Sequence, residues 1–190
     1  MVSKDREYRA FEMRTASDEM TVEGYAAVFN SPTVLYSIDG IDYKEEIHPD
    51  AFRGAQMADV VMNYNHSGKP VARTKNGTLE IAVDDHGLKV RAKLDGTEEG
   101  RKLYEEIKGG YIDQMSFAFT VSEESYNSEE HKRTIRGFKR IYDVAAVDIP
   151  AYDATSISAR SYFEAEAEKV KTAEARAKQK QKIKILLEVM

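Results

Sequence analysis

The chain has 190 residues, 42% of them hydrophobic and none of them cysteine. That is enough for one sizeable core, and it excludes a disulfide framework, a thiolate nucleophile and a cysteine-bound zinc site. Its 28 basic and 33 acidic residues leave a formal charge of -5, without the basic excess that nucleic-acid or anionic-membrane binding requires; chemistry must come from hydroxyls, imidazoles and carboxylates, and the expected partner is a protein.

Met1 to Met20 is charged throughout and lacks the continuous apolar stretch of a secretory signal. No later window approaches the roughly 18 apolar residues of a membrane span, so a soluble protein that stays in its compartment of synthesis is expected. Thr21 to Phe29 reads as a strand stopped by Asn30-Ser31-Pro32, and Tyr36 to Gly40 as a loop. Tyr43 to Phe52 combines a short strand with a helix start at Pro49-Asp50. The apolar run Asp59 to Tyr64 is a buried strand that delivers His66 into a turn marked by Gly68 and Pro70.

Thr78 to Leu94 has the alternation of a hairpin turning at Asp84 to Gly87. Between Asp95 and Gly110 lies a helix with Thr97 as N-cap, Leu103, Tyr104 and Ile107 inward, and Gly109 as its stop. Tyr111 to Val121 is a strand whose Met115, Phe117 and Phe119 share one face, leaving Gln114, Ser116, Ala118 and Thr120 on the other. The polar stretch Ser122 to Lys132 reads as a loop or hairpin tip, and Ile135 to Ile149 as a last strand ending at Pro150. Residues 162–190 contain no Gly or Pro, are rich in Ala, Glu and Lys, and close on the apolar group Ile183 to Met190. They form a charged helical tail beside a domain spanning residues 1–161.

On spacing alone, Ser116 is a solvent-facing strand serine. Among the four histidines, His86 and His131 fall in polar turns, His48 is ambiguous between packed and exposed, and His66 is the one a rigid strand presents on a loop. Asp143 is an acid among apolar neighbours, costly to bury unless something hydrogen-bonds to it. Metal ligation finds no support, since H-x-x-x-H and calcium-loop spacings are missing, and no glycine-rich phosphate loop occurs.

Taken together, G-Y-A-A-V-F-N at 24–30, E-x-I-x-P-x-A-F at 45–52, V-V-M-N-Y-N-H at 60–66, G-L-K-V-R-A-K-L at 87–94, S-F-A-F at 116–119 and D-V-A-A-V-D-I-P-A-Y at 143–152 resemble the prohead maturation proteases of tailed bacteriophages. That family is similar in fold to the herpesvirus capsid-maturation protease. The resemblance implies a mainly β (α+β) protein: an antiparallel, barrel-like core with flanking helices and the C-terminal helical tail. It further implies a serine endopeptidase that removes scaffolding segments from the major capsid protein, and cuts itself, inside the immature capsid in the host cytoplasm or from a prophage. No cofactor, metal, nucleic acid or membrane is implied. The herpesvirus enzyme acts as a dimer, which makes a homodimer the implied assembly.

Residue by residue, the family's nucleophile falls on Ser116, its base on His66 and its acid on Asp143. Asp stands where relatives usually carry Glu, and Ala145 where they carry Ser, so Asp148 or a water remains an alternative third member. The tail is then a scaffold- or capsid-docking segment, or one that the enzyme removes. A reading of another class is a non-catalytic assembly factor that binds scaffold on the same fold; a further one is a different acyl-transfer hydrolase.

Overall fold

The computed structural model describes residues 6–16, 19–148, 162–166, 168–169, 172–173 and 175–181. In chain order the elements are β1 (Glu7–Thr15), β2 (Thr21–Val28), β3 (Thr33–Ile38), β4 (Ile41–Ile47), β5 (Val61–Tyr64), β6 (Ser67–Arg73), β7 (Leu79–Val83), β8 (Gly87–Lys93), α1 (Glu98–Lys108), β9 (Gln114–Asn127) and β10 (Lys132–Val147). Short 3-10 turns occupy Pro49–Phe52 and Thr74–Asn76. The sheet runs β3-β4-β10-β9-β1-β2-β8-β7, and β5 joins β10 with β6 at its side.

The expected mainly β class with flanking helices is what the chain forms. The sheet is mixed, however, because β10 pairs in parallel with both β4 and β5, and it is not closed into a barrel. The cause is the length of β10. Its 16 residues pair with β9 from Lys132 to Val147 along one edge, and along the other edge they outrun the short strands, so Lys132 to Ile135 pairs with β4 while Asp143 to Ala146 pairs with β5. Register shifts against β9 between Ile135 and Asp143 bend the strand, as bulges do.

The core lies on one face of β9 and β10. Met115, Phe117 and Phe119 point into it as their period-two spacing predicts, and all three are fully buried. Phe117 stacks on Phe119 at 4.7 Å, and Phe138 closes on Phe119 at 4.9 Å and on Phe52 at 4.6 Å. Each such ring contributes about 1.5–3 kcal/mol of apolar transfer, which fixes β9 and β10 firmly against each other. Helix α1 packs Leu103 and Ile107 inward. Thr97 caps it by accepting from the Gly100 amide, and Gly110, not Gly109, takes the left-handed conformation at its end (φ 74°).

Three stretches depart from expectation, and a fourth carried none. Tyr36 to Ile38 continues β3, and only Asp39-Gly40 turns, both at positive φ. Gly68 and Pro70 lie in β6, not in a turn. Of the polar stretch Ser122 to Lys132, Ser122 to Asn127 is the outer half of β9 and only the residues between it and β10 turn. The charged N-terminal segment supplies β1, a central strand between β9 and β2.

The tail is helical where it is described. Phe163 is 1% exposed, sealed among Leu35, Tyr36, Tyr43 and Tyr126, and Arg133 lies over the Tyr162 ring at 4.6 Å. Beyond Glu166 the described tail residues are exposed. The apolar group Ile183 to Met190, like Pro150, lies outside the described residues.

Candidate active site

Three strands bring the predicted residues to one face of the sheet, opposite the aromatic core. On β9, Ser116 pairs with Ala145 of β10, and Ala145 pairs in turn with Asn63 of β5. In the next row Ala118 pairs with Asp143, and Asp143 with Val61. Residues paired across a sheet point to the same side, so Ser116, Ala145, Asn63, Ala118 and Asp143 share this face. Ser116 and Asp143 are diagonal neighbours on adjacent strands, about 7–8 Å apart at Cα. The alanines leave the space above the sheet to longer side chains.

His66 arrives from the end of β5 through a two-residue turn in which Asn65 and His66 both have positive φ, 48° and 54°. Tyr64 and Ser67 pair on either side of it. A hairpin of this length needs left-handed residues at both central positions, the second of which is ordinarily Gly. A histidine held there carries backbone strain of the kind that clusters at functional sites. Asp148 clamps the turn: its carboxylate accepts from the Tyr64 hydroxyl at 2.8 Å and from Asn65 Nδ2 at 3.0 Å. The Asn65 amide also donates to the Ala146 carbonyl at 2.9 Å. Proximity to the Asp148 carboxylate raises the Tyr64 hydroxyl's pKa, keeping it a donor.

The turn folds the imidazole back over Asp143. His66 Nδ1 and Asp143 Oδ1 are 2.5 Å apart, and both side chains are largely buried, at 13% and 7% exposure. A carboxylate only accepts, so Nδ1 carries the proton and the lone pair sits on Nε2. Tyr8 of β1 packs edge-on against the imidazole at 4.4 Å, and Arg6 lies 3.7 Å from the other carboxylate oxygen of Asp143. Asp143, and not Asp148, is therefore the acid that touches His66.

Ser116 is fully buried, which corrects the expectation of a solvent-facing serine: the face opposite the aromatic core is itself covered. Its Oγ and His66 Nε2 are both buried without a hydrogen-bond partner, so they are not bonded to each other. The other buried polar atoms without a partner among the described residues are Asn63 Oδ1, Thr120 Oγ1 and Arg6 Nε. All belong to residues of this face or to side chains that reach it. Most buried polar atoms in folded proteins are paired, so unpaired atoms on Ser116, His66 and Asn63 single out this face as the candidate site. Beside the turn an open cleft of about 700 Å³ runs between the β5–β6 hairpin and α1, walled by Tyr64, Ser67, Leu103, Tyr111 and Asp148.

The remaining histidines have structural work. His48 accepts from the Asp50 amide at 3.1 Å and so caps the Pro49–Phe52 turn. His86 lies against Tyr25, and His131, half-buried and not exposed as expected, lies against Tyr43. No group of metal-ligating side chains occurs among the described residues, and no described helix is long and apolar enough to cross a membrane. Asn63, Asn65 and Tyr8 escaped the sequence reading. The only signal for the asparagines was their spacing in N-Y-N-H ahead of the histidine.

A family profile described as Caudovirus prohead serine protease matches residues 6–172 of the chain. No curated protein matches it. Among solved structures, the capsid assembly protease gp21 of bacteriophage T4 is similar, at 13% sequence identity and a TM-score of 0.49, covering 77% of this chain and 98% of that one.

Proposed function

Because the chain belongs to the caudovirus prohead serine protease family, we propose that it is a serine endopeptidase in which Ser116 is the nucleophile, His66 the general base and Asp143 the residue that orients the imidazole. The observation that carries this reading is the 2.5 Å contact between His66 Nδ1 and Asp143, made on the same sheet face as a buried serine. Nε2 takes the Ser116 proton as Oγ attacks the scissile carbonyl, then returns it to the leaving amine. Asp143 fixes the tautomer and stabilises the imidazolium, a role set by geometry and not by chain order. The serine-to-histidine hydrogen bond closes when substrate binds, as is common for such pairs.

The substrates are the scaffolding segments of the major capsid protein and the chain itself, cut inside the immature capsid. The open cleft of about 700 Å³ beside the His66 turn, between the β5–β6 hairpin and α1, seats the substrate peptide. The exposed tail helix serves as the handle that docks on scaffold or capsid subunits. Deleting residues 164–190, which leaves the buried Phe163 in place, should spare peptidase activity and lower encapsidation; encapsidation at the wild-type level would remove the tail from this account.

The central test is Ser116→Ala co-expressed with the capsid protein. Loss of all processing, read by mass spectrometry of newly formed N-termini, is expected. Processing at the normal rate would leave the assembly-factor reading in its place.

A further inference from the structure

Acyl transfer through a serine needs a donor for the carbonyl oxygen as it turns into an oxyanion, and a single such donor is typically worth 10²–10³ in turnover. Asn63 fits that need both in position and in pairing. Its row mates are Ala145 and then Ser116, so Asn63 and Ser116 rise from the same face with only a methyl group between them. Two interstrand spacings separate their Cα atoms by about 10 Å, a gap that a serine, an added carbonyl and an asparagine amide can bridge. Asn63 is also only 7% exposed, yet its Oδ1 is buried without a partner, and the described residues give its amide no hydrogen bond. A buried amide oxygen left unpaired is destabilising, and an Nδ2 that makes no hydrogen bond to the described residues is free to donate to a ligand.

Thr120 is the other buried and unpartnered polar side chain on β9. It lies four residues from Ser116, about 13 Å along the strand, too far to share a carbonyl with it. Asn63, by contrast, sits on β5, the strand whose turn delivers His66.

We propose that Asn63 Nδ2 donates to the carbonyl oxygen of the scissile peptide bond and forms part of the oxyanion hole. This rests on the assignment of Ser116 and His66 above. As the Oγ–C bond forms, the Ser116 proton passes to His66 Nε2 and the carbonyl π pair moves onto the oxygen that Asn63 holds. Collapse then restores the carbonyl, breaks the C–N bond and sends the proton to the departing amine. Asn63 thus touches the reacting atoms, while Asp148, acting through Asn65 and Tyr64, is a positioning residue.

The test uses the full-length chain and a peptide spanning a junction that the wild-type protein is found to cut. Asn63→Ala should lower kcat by a hundred- to a thousand-fold with KM unchanged, while its melting temperature holds or rises. The isosteric Asn63→Asp, which sets a carboxylate against the oxyanion, should lose more than the alanine variant. If Ser116→Ala is inactive and Asn63→Ala keeps kcat within threefold, the proposal for Asn63 is overturned and the nucleophile stands. If the loss in Asn63→Ala is matched by a lower melting temperature and Asn63→Asp restores turnover, the residue is structural and the proposal falls. Activity retained in Ser116→Ala would instead overturn the catalytic assignment itself.

Discussion

The sheet around β1 has two faces, and both bury polar groups, but one pairs them fully and the other does not. On the core side Glu7 and Arg9 of β1 meet Glu45 of β4, Glu124 of β9 and Arg133 of β10. Arg9 donates to both Glu45 oxygens at 2.5 and 2.6 Å and to Glu7 at 3.0 Å. Arg133 donates to Glu7 at 2.6 and 2.8 Å, to Glu45 at 3.0 Å and to Glu124 at 2.7 Å. On the opposite side Ser116, Thr120 and Asn63 have buried atoms with no partner at all. Full pairing on one face makes the charges structural, for a buried charge persists only when it is paired and hydrogen-bonded. Incomplete pairing on the other is what a site looks like when its last partner is a substrate.

The contrast predicts that substitutions on the two faces fail differently. The largest effect belongs to Asp143→Asn. If Asp143 fixes the imidazole tautomer as proposed, turnover should fall by about 10⁴-fold, the loss seen for an established Ser-His-Asp triad, while thermal melts show a folded protein. A variant within tenfold of wild type would remove Asp143 from the catalytic group. Arg133→Ala should do the reverse, leaving Glu7, Glu45 and Glu124 without their shared cation. Its expected cost is about 3–5 kcal/mol of stability, measured by denaturant unfolding, with turnover per folded molecule preserved. Stability equal to wild type would mean the network is no more than a surface ion pair in its energetics.

A smaller effect separates the faces by pH. Burial alone would raise the Glu7 carboxyl, but the hydrogen bonds and charges of Arg133 and Arg9 outweigh it and hold the group below its ordinary 4.5. A carboxyl depressed in the folded state contributes stability above its unfolded pKa, and that contribution is lost as pH falls through the folded value. Melting temperatures should therefore drop as pH falls below 4.5, and the drop should shrink in Glu7→Gln. An unchanged acid limb in that variant would assign acid unfolding to other carboxylates.

The same contrast explains what could be read from the residues alone. The aromatic alternation of Met115, Phe117 and Phe119 reports its buried face directly, as do the capped helix α1 and the β7–β8 hairpin, because apolar periodicity and capping are local signals. β1 was illegible: Glu7 and Arg9 stand at inward positions where an apolar residue is expected, and their partners are 36 to 126 residues away. The outer half of β9 was hidden likewise, since Glu124 faces Arg133 across the hairpin. At the site, Ser116 reads as exposed because nothing local says that its face is covered. The His66 turn was visible only as polar residues ahead of Gly68 and Pro70, and its strained pair lies one step earlier. Distance along the chain, not weakness of interaction, concealed these features.

The position of β1 in the middle of the sheet also sets an order of events during synthesis. Its neighbour β9 begins about a hundred residues later, at Gln114, and the Arg6–Asp143 and Arg133–Glu7 contacts tie the first described residues to some of the last in the sheet. Pairings of such range form slowly, because a long loop must close before they return any stability. A ribosome must therefore release β9 before the N-terminal strand has anything to pair with on that side, and a nascent chain stalled before Asp143 carries His66 and Ser116 without the carboxylate that His66 contacts. On the proposed triad, hydrolytic competence is thus withheld until β10 has been made.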